Sequence, residues 1–446
     1  MANKIISEKR RYATSLAIMG ALFFIFGMVS WVNSVLIPYF KVTCELSLSQ
    51  AFLVGFAFYI AYFIMAIPST MMLKKIGYKR GIFYGLLTMA VGALLFVPAA
   101  YSRAYPLFLT GLFLLGIGLA VLQSAGNPYV TIIGPIESAA KRMSIMGVCN
   151  KMAGIIAPLL LGMVIIKSTD SQLFLQLQSG AEVIDGVNRT QILDELIRRV
   201  ILPYSILAVA LVGFAFYVKN SILPDIDTSK GITSAKEKPV EQRKYLIQYP
   251  WLVLGVIGMV CHLGSQILCI NTLSTSAQAL GTEIAQAKNL PPMILFTTTI
   301  GFGLGVVLIP KMLTQLNSLK IAATVNLIAS VAVVFVSGRT TILGVDAHNA
   351  LWILILMGIP NAFLYSAIWP LTIHDLGKFT GLGSALLVMA LCSSGFFPLL
   401  YAEAVKVGSV QSAYWISIPC FLFLVFFSFF GYKINSWVKV EKTIKK

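Results

Sequence analysis

Long apolar runs follow one another along almost the whole chain, separated by short polar or basic connections. A helix needs roughly 20 apolar residues to cross the hydrocarbon core of a bilayer. Runs of that length recur twelve times, at about 14–38, 49–73, 81–100, 106–132, 143–166, 201–218, 249–272, 291–313, 319–337, 349–373, 381–402 and 412–435. The pattern predicts an all-α membrane protein with twelve transmembrane helices. Within the fourth run, the stretch LQSAGNPYVTIIGP places Gln123 and Asn127 four residues apart and follows them with Pro128. That spacing puts both amides on one helix face. Hydrocarbon has no partner for an amide, so a polar cavity inside the protein is the expected reason for them.

Composition agrees with this reading. The chain of 446 residues is 58% hydrophobic and 11% charged, with a mean hydropathy of +0.84. That leaves too little polar surface to coat a soluble globule. The first run is long and has no small-residue cleavage site before Pro38, so it reads as a membrane helix, not a signal peptide. With twelve spans the termini lie on the same side, and that side collects 24 of the 34 Lys and Arg residues, against 9 on the other and Lys151 inside a span. The bias predicts cytoplasmic termini, as in a bacterial inner-membrane protein. It also accounts for most of the formal charge of +17, and with no basic face on a soluble domain a nucleic-acid partner is not expected. The six cysteines show no metal-ligand spacing and read as small core residues, so neither metal nor cofactor is expected.

The longest polar interruption near the middle, 219–248, divides the runs six and six. We read it as a cytoplasmic linker between an amino-terminal bundle, 1–218, and a carboxy-terminal bundle, 249–446. Two six-helix bundles with a substrate site between them is the arrangement expected of the major facilitator fold. The loop KKIGYKRG between the second and third runs is basic and turned by glycine, as an ordinary positive-inside loop also is. Further on, TQILDELIRRV places Ile192, Leu193, Leu196 and Ile197 on one face, which predicts a short amphipathic helix at the outer surface. The glycines Gly116, Gly118, Gly303 and Gly305 are expected to let helices approach closely.

Polar residues inside the runs mark the candidate site. They are Trp31, Asn33 and Ser34 on the first; Gln123, Ser124 and Asn127 on the fourth; Asn150 and Lys151 on the fifth; His262, Ser265, Gln266 and Asn271 on the seventh; and Asn361, Tyr365 and Trp369 on the tenth. Amides exchange hydrogen bonds with hydroxyls and aromatic rings pack on the apolar face of a pyranose, so the set suits a small-molecule sugar. Amides also join helices in many bundles, and that reading competes at each position. None of the 17 acidic residues lies deep in a run, although proton relays in transporters usually rest on an intramembrane carboxylate. Lys151 lies about nine residues past Arg142, roughly 13 Å along a helix, too deep for an easy reach to water. Gly147, one turn earlier, leaves room for its ammonium. His262 is a candidate titrating group near neutral pH, or else a packing residue.

The stretches GALFFIFGMVSWVNSVLIPYF, AFYIAYFIMAIPSTMMLKKIGYKRG, LQSAGNPYVTIIGP and NKMAGIIAPLLLG resemble the fucose:proton symporter family of major facilitators, which includes bacterial glucose/galactose transporters. The resemblance continues in register through VCHLGSQILC and NAFLYSAIWPLTIHDLG. The family's first-span pattern of asparagine-x-asparagine-aspartate falls on Trp31, Val32, Asn33 and Ser34. Its fourth-span glutamate-threonine-alanine-alanine-asparagine-proline falls on Gln123 through Pro128. The resemblance thus implies that proton coupling and sugar binding would fall at Ser34 and Gln123, and neither carries a carboxylate.

The expectation is a secondary transporter that moves a monosaccharide, a hexose or deoxyhexose, across the bilayer by alternating access. Substrate-binding candidates are Trp31, Asn33, Gln123, Asn127, Asn150, Lys151, Gln266, Asn361, Tyr365 and Trp369, and coupling-position candidates are Ser34, Gln123 and His262. A facilitator without coupling, coupling by a proton or a sodium ion through another group, and an acidic sugar such as a hexuronate held by Lys151 all stay open. A non-transporting sugar sensor is the alternative from another class. No carboxylate pair, nucleophile with base or metal cluster in the spans suggests an enzyme.

Overall fold

The computed structural model of the chain describes residues 2–133, 135, 138–165, 173–174, 176–177, 183–184, 187–221, 245–287, 289–309 and 311–437, and the side chains of all these except 2–11, 33, 34, 38, 48, 49, 132, 158, 184, 284, 285 and 378. Most of the central connection expected at 219–248 lies outside the described residues. Among those described, twelve helical segments are long and apolar enough to cross a membrane. Spans 1 to 6 are Tyr12–Ile37, Gln50–Ile76, Tyr78–Ser102, Tyr105–Thr131, Ala139–Ile165 and Arg189–Asn220. Spans 7 to 12 are Pro250–Ala279, Leu290–Leu308, Gln315–Phe335, Asn349–Ile373, Thr380–Val407 and Ser412–Phe429.

Local chemistry sets several boundaries. Ser47 and Gln50 form a capping box at the start of span 2: the Gln50 N–H donates to Ser47 Oγ at 3.2 Å and the Ser47 N–H to Gln50 Oε1 at 2.9 Å. Gly77, at φ 84°, turns the chain between spans 2 and 3, a backbone conformation that costs glycine little. Span 9 begins where Thr314 Oγ1 accepts from the Asn317 N–H at 3.1 Å. Several spans are interrupted, spans 3, 6 and 10 among them. Span 1 is interrupted at Val32, between the helices Ala2–Trp31 and Asn33–Thr43. Span 11 tightens into a 3₁₀ turn at Ala390–Cys392.

Glycine explains some close helix crossings. A Cβ built on Gly116 would stand 2.3 Å from the Phe58 carbonyl oxygen, and one on Gly118 would stand 2.4 Å from that of Gly85. Gly305 lies similarly against Ser144 Oγ, at 2.7 Å. Gly303 differs from the expectation, since nothing lies within 4 Å of its Cβ position. It faces away from the neighbouring helix, two residues round from Gly305.

The helix expected to lie along the outer surface forms at Arg189–Arg198, but its apolar face is taken by protein. Leu193, Leu196 and Ile197 are buried, and the Tyr39 hydroxyl donates to the Leu196 carbonyl. Arg103 holds both Glu45, at 3.1 Å, and Asp194, at 3.3 Å, while Arg189 reaches Glu45 at 2.8 Å. These charges tie the helix to the ends of spans 1 and 3, so membrane lipid is not what covers it. Burial at this junction pushes the Cys44 thiol up to about 11, so it stays protonated and poorly nucleophilic at neutral pH.

Arg142 counts among the basic residues that set topology, yet its side chain is 2% exposed. It donates to the carbonyls of Val130 and Thr131 at 2.7 Å each, to that of Pro135 at 3.0 Å and to Ser138 Oγ at 2.9 Å. These carbonyls belong to the end of span 4 and the turn after it, where intrahelical partners run out. Arg142→Ala is expected to cost on the order of 3 kcal/mol by stranding them. The midpoint of thermal unfolding in detergent should fall, with partial recovery in Arg142→Lys; an unchanged midpoint would mean that water replaces the guanidinium.

Candidate functional site

The two sets of six spans meet along spans 2 and 11, 5 and 8, 5 and 10, and 4 and 11. Ser144 and Ser366 share a hydrogen bond across this seam at 3.0 Å. Nearer the opposite end of the bundle, the rings of Phe56 and Phe396 meet edge to face at 5.3 Å. Between these contacts lies a cavity with about 690 Å³ of empty space, its open side included. Spans 1, 2, 4 and 5 supply one wall, and spans 7, 8, 10 and 11 the other.

Six of the sequence-selected residues line it: Trp31, Gln123, Asn150, Lys151, Gln266 and Tyr365. Asn150 accepts from Trp31 Nε1 at 3.1 Å and donates through Nδ2 to the Phe23 carbonyl at 3.2 Å, which fixes the indole on span 5. The back of the ring rests on Gly154, where a Cβ would meet Trp31 Cδ1 at 2.5 Å. Lys151 Nζ lies 3.8 Å from the centre of the Trp31 ring. This cation–π contact replaces the position expected over Gly147. The room at Gly147 is filled from the other half, because a Cβ there would stand 2.4 Å from the ring of Phe302.

Gln123 Nε2 donates to the Tyr62 hydroxyl at 3.3 Å, and its Oε1 accepts from Asn127 Nδ2 at 3.5 Å. Asn127 therefore stands one layer behind the wall, fully buried, with Gln123 in front of it. Asn361 is turned elsewhere: its Oδ1 accepts from Asn326 Nδ2 on span 9 at 3.2 Å, an amide pair that joins two helices. Trp369 is buried behind Tyr365, with ring centres 6.3 Å apart. His262 is fully buried, neither ring nitrogen has a hydrogen-bond partner among the described residues, and its ring centre lies 6.4 Å from that of Tyr365. The side chains of Asn33 and Ser34 lie outside the described residues.

The cavity also contains residues that sequence reasoning passed over. Tyr59 and Tyr62 lie one helical turn apart on span 2 with rings stacked at 6.1 Å, and Ser30, Phe302 and Ser394 also line the wall. The i, i+3 pair of tyrosines in AFYIAYF was the available signal, since a phenol inside a membrane run needs a partner. No Asp or Glu lines the cavity, and no group of three or more His, Cys, Asp or Glu among the described residues stands ready to hold a metal ion.

Twelve spans enclosing a polar and aromatic cavity at the seam of two six-helix sets define a polytopic membrane carrier. The chain belongs to the Major Facilitator Superfamily, whose model matches residues 19–399. It is 29% identical over 431 residues to the glucose/galactose transporter of Brucella abortus biovar 1 (strain 9-941), covering 96% of each chain. It is also 29% identical over 440 residues to the L-fucose-proton symporter of Escherichia coli (strain K12), covering 96% of this chain and 95% of that protein. The crystal structure of the transporter FucP in the outward conformation superposes with a TM-score of 0.75 at 27% identity, covering 94% of this chain and 98% of that one.

Gly147 and Phe302 provide a test of the seam. Gly147→Val should force spans 5 and 8 apart and lower transport at least tenfold, and Phe302→Ala should restore much of it in the double variant. Full activity of Gly147→Val alone would show that the two spans need not approach this closely.

Proposed function

We propose that the chain is a secondary transporter that moves a monosaccharide of hexose or deoxyhexose size across a bacterial inner membrane by alternating access. The observation that carries this reading is a cavity built jointly by both sets of spans and lined by amides and aromatic rings, as a polyhydroxylated ring requires. The relatives named for glucose, galactose and fucose support it. In this reading the transporting unit is two bundles, 1–218 and 249–446, joined by a cytoplasmic linker at 219–248, with both termini cytoplasmic as the bias of Lys and Arg favours.

In this reading Trp31 and Tyr365 pack on the sugar ring while Gln123, Asn150 and Gln266 meet its hydroxyls. Asn127 and Tyr62 act by holding Gln123, and Asn361 and Trp369 stiffen the wall behind. Coupling does not run through a carboxylate at Gln123, which holds an amide, nor at position 34, which is Ser34. Proton or sodium dependence would need another group.

Counterflow in proteoliposomes without any ion gradient, run over galactose, glucose, fucose, galacturonate and glucuronate, tests the proposal. At least one should exchange well above protein-free vesicles, and Trp31→Ala should slow that exchange at least tenfold, equivalent to about 1.4 kcal/mol. If none exchanges, the chain is not a monosaccharide transporter, and a binding protein without transport becomes the better reading.

A further inference from the structure

We infer that the sugar this cavity takes carries one carboxylate, a hexuronate, and that Lys151 binds it. The inference rests on the reading of the cavity as a monosaccharide site. Lys151 is the one charged residue among those that line it, and its side chain lies within the protein at 6% exposure. No hydrogen bond or ion pair is formed by its ammonium among the described residues; its contact is the face of Trp31 at 3.8 Å. A ring face offsets only part of what a buried cation loses in leaving water, and nothing in the wall supplies the missing negative charge.

A second donor points the same way from the opposite half. Gln266 on span 7 is 5% exposed, lines the same cavity, and its Nε2 has no hydrogen-bond partner among the described residues. Gln123 Oε1 and Asn150 Oδ1 each already accept one hydrogen bond, from Asn127 and Trp31. An unpaired donor therefore stands on each wall, Lys151 on one and Gln266 Nε2 on the other, and the lining carries one positive charge. A sugar hydroxyl brings a donor along with its acceptors, whereas a carboxylate accepts only, so the carboxylate matches these two donors.

The charge count chooses among anions. A phosphorylated sugar brings about −1.5 to −2 at neutral pH, of which one lysine leaves about −0.5 to −1 uncompensated. A carboxylate brings one unit, equal to that of Lys151. Neutralisation by the ligand itself also requires no acid in the wall, which agrees with an amide at Gln123.

The test is counterflow of labelled galacturonate and glucuronate into proteoliposomes carrying the full chain, with galactose and fucose in parallel. We expect uronate exchange in the wild type, a loss of at least tenfold in Lys151→Gln and retention in Lys151→Arg. Competition in the wild type covers the case in which Lys151→Gln does not fold: free galacturonate should inhibit, and its methyl ester, uncharged but of similar shape, should be at least tenfold weaker. Exchange of galactose or fucose with no inhibition by a hundredfold excess of uronate would overturn the inference while leaving monosaccharide transport standing. Equal inhibition by acid and ester would overturn it as well. Absence of exchange for every sugar would overturn both.

Discussion

Hydrocarbon offers no hydrogen bonds, so a chain with this few polar residues in its spans must bring them together or leave them stranded. The structure brings several of them, Trp31, Gln123, Asn150, Lys151, Gln266 and Tyr365, to the seam between two sets of six helices. Asn150 shows how much depends on this. Its amide bonds Trp31 on one edge and the Phe23 backbone on the other, which holds span 1 to span 5 and turns the face of the indole toward Lys151. Gln123 does the same between span 2 and the interior of span 4, through Tyr62 and Asn127. The amides at the cavity are thus structural on one side and open to a ligand on the other.

The halves are joined by small residues and rings, without ion pairs among the described contacts between them. Ser144 meets Ser366, Phe302 fills the notch at Gly147, and Phe56 meets Phe396 nearer the other end. Contacts of this kind give up little energy when they separate, because among the described residues they consist mainly of packing and neutral hydrogen bonds. That suits a protein whose two halves rock about a central site. The breaks at Val32 and at Ala390–Cys392 fall beside cavity residues Trp31 and Leu391, where irregular backbone is tolerated because it lines a cavity.

Much of the fold was legible because length and hydropathy alone identify a membrane helix; most span edges moved by a few residues, while span 7 runs on to Ala279 and span 12 stops at Phe429. The site was legible where a residue was conspicuous against hydrocarbon, as Gln123, Asn150, Lys151 and Gln266 are. It was not legible where polar and apolar roles overlap. Tyr59 and Tyr62 pass for core residues in an aromatic run, and Phe302 is visible only once span 8 is placed against span 5. Asn361 was conspicuous for a different reason, since its partner Asn326 sits on a neighbouring helix that spacing along one chain cannot reveal. For Arg189–Arg198, periodicity identified the amphipathic face, and only the packed structure shows that protein covers it.

The central claim is that substrate sits in the seam cavity, in contact with both halves. The most direct measurement is protection of a single cysteine placed at Leu391, on the wall formed by span 11, in a background where the six native cysteines are replaced. Its reaction with a methanethiosulfonate reagent should slow several-fold when the transported sugar is present at saturating concentration and not with a sugar that is not carried. Equal rates with and without that sugar would contradict the account and place the binding site elsewhere.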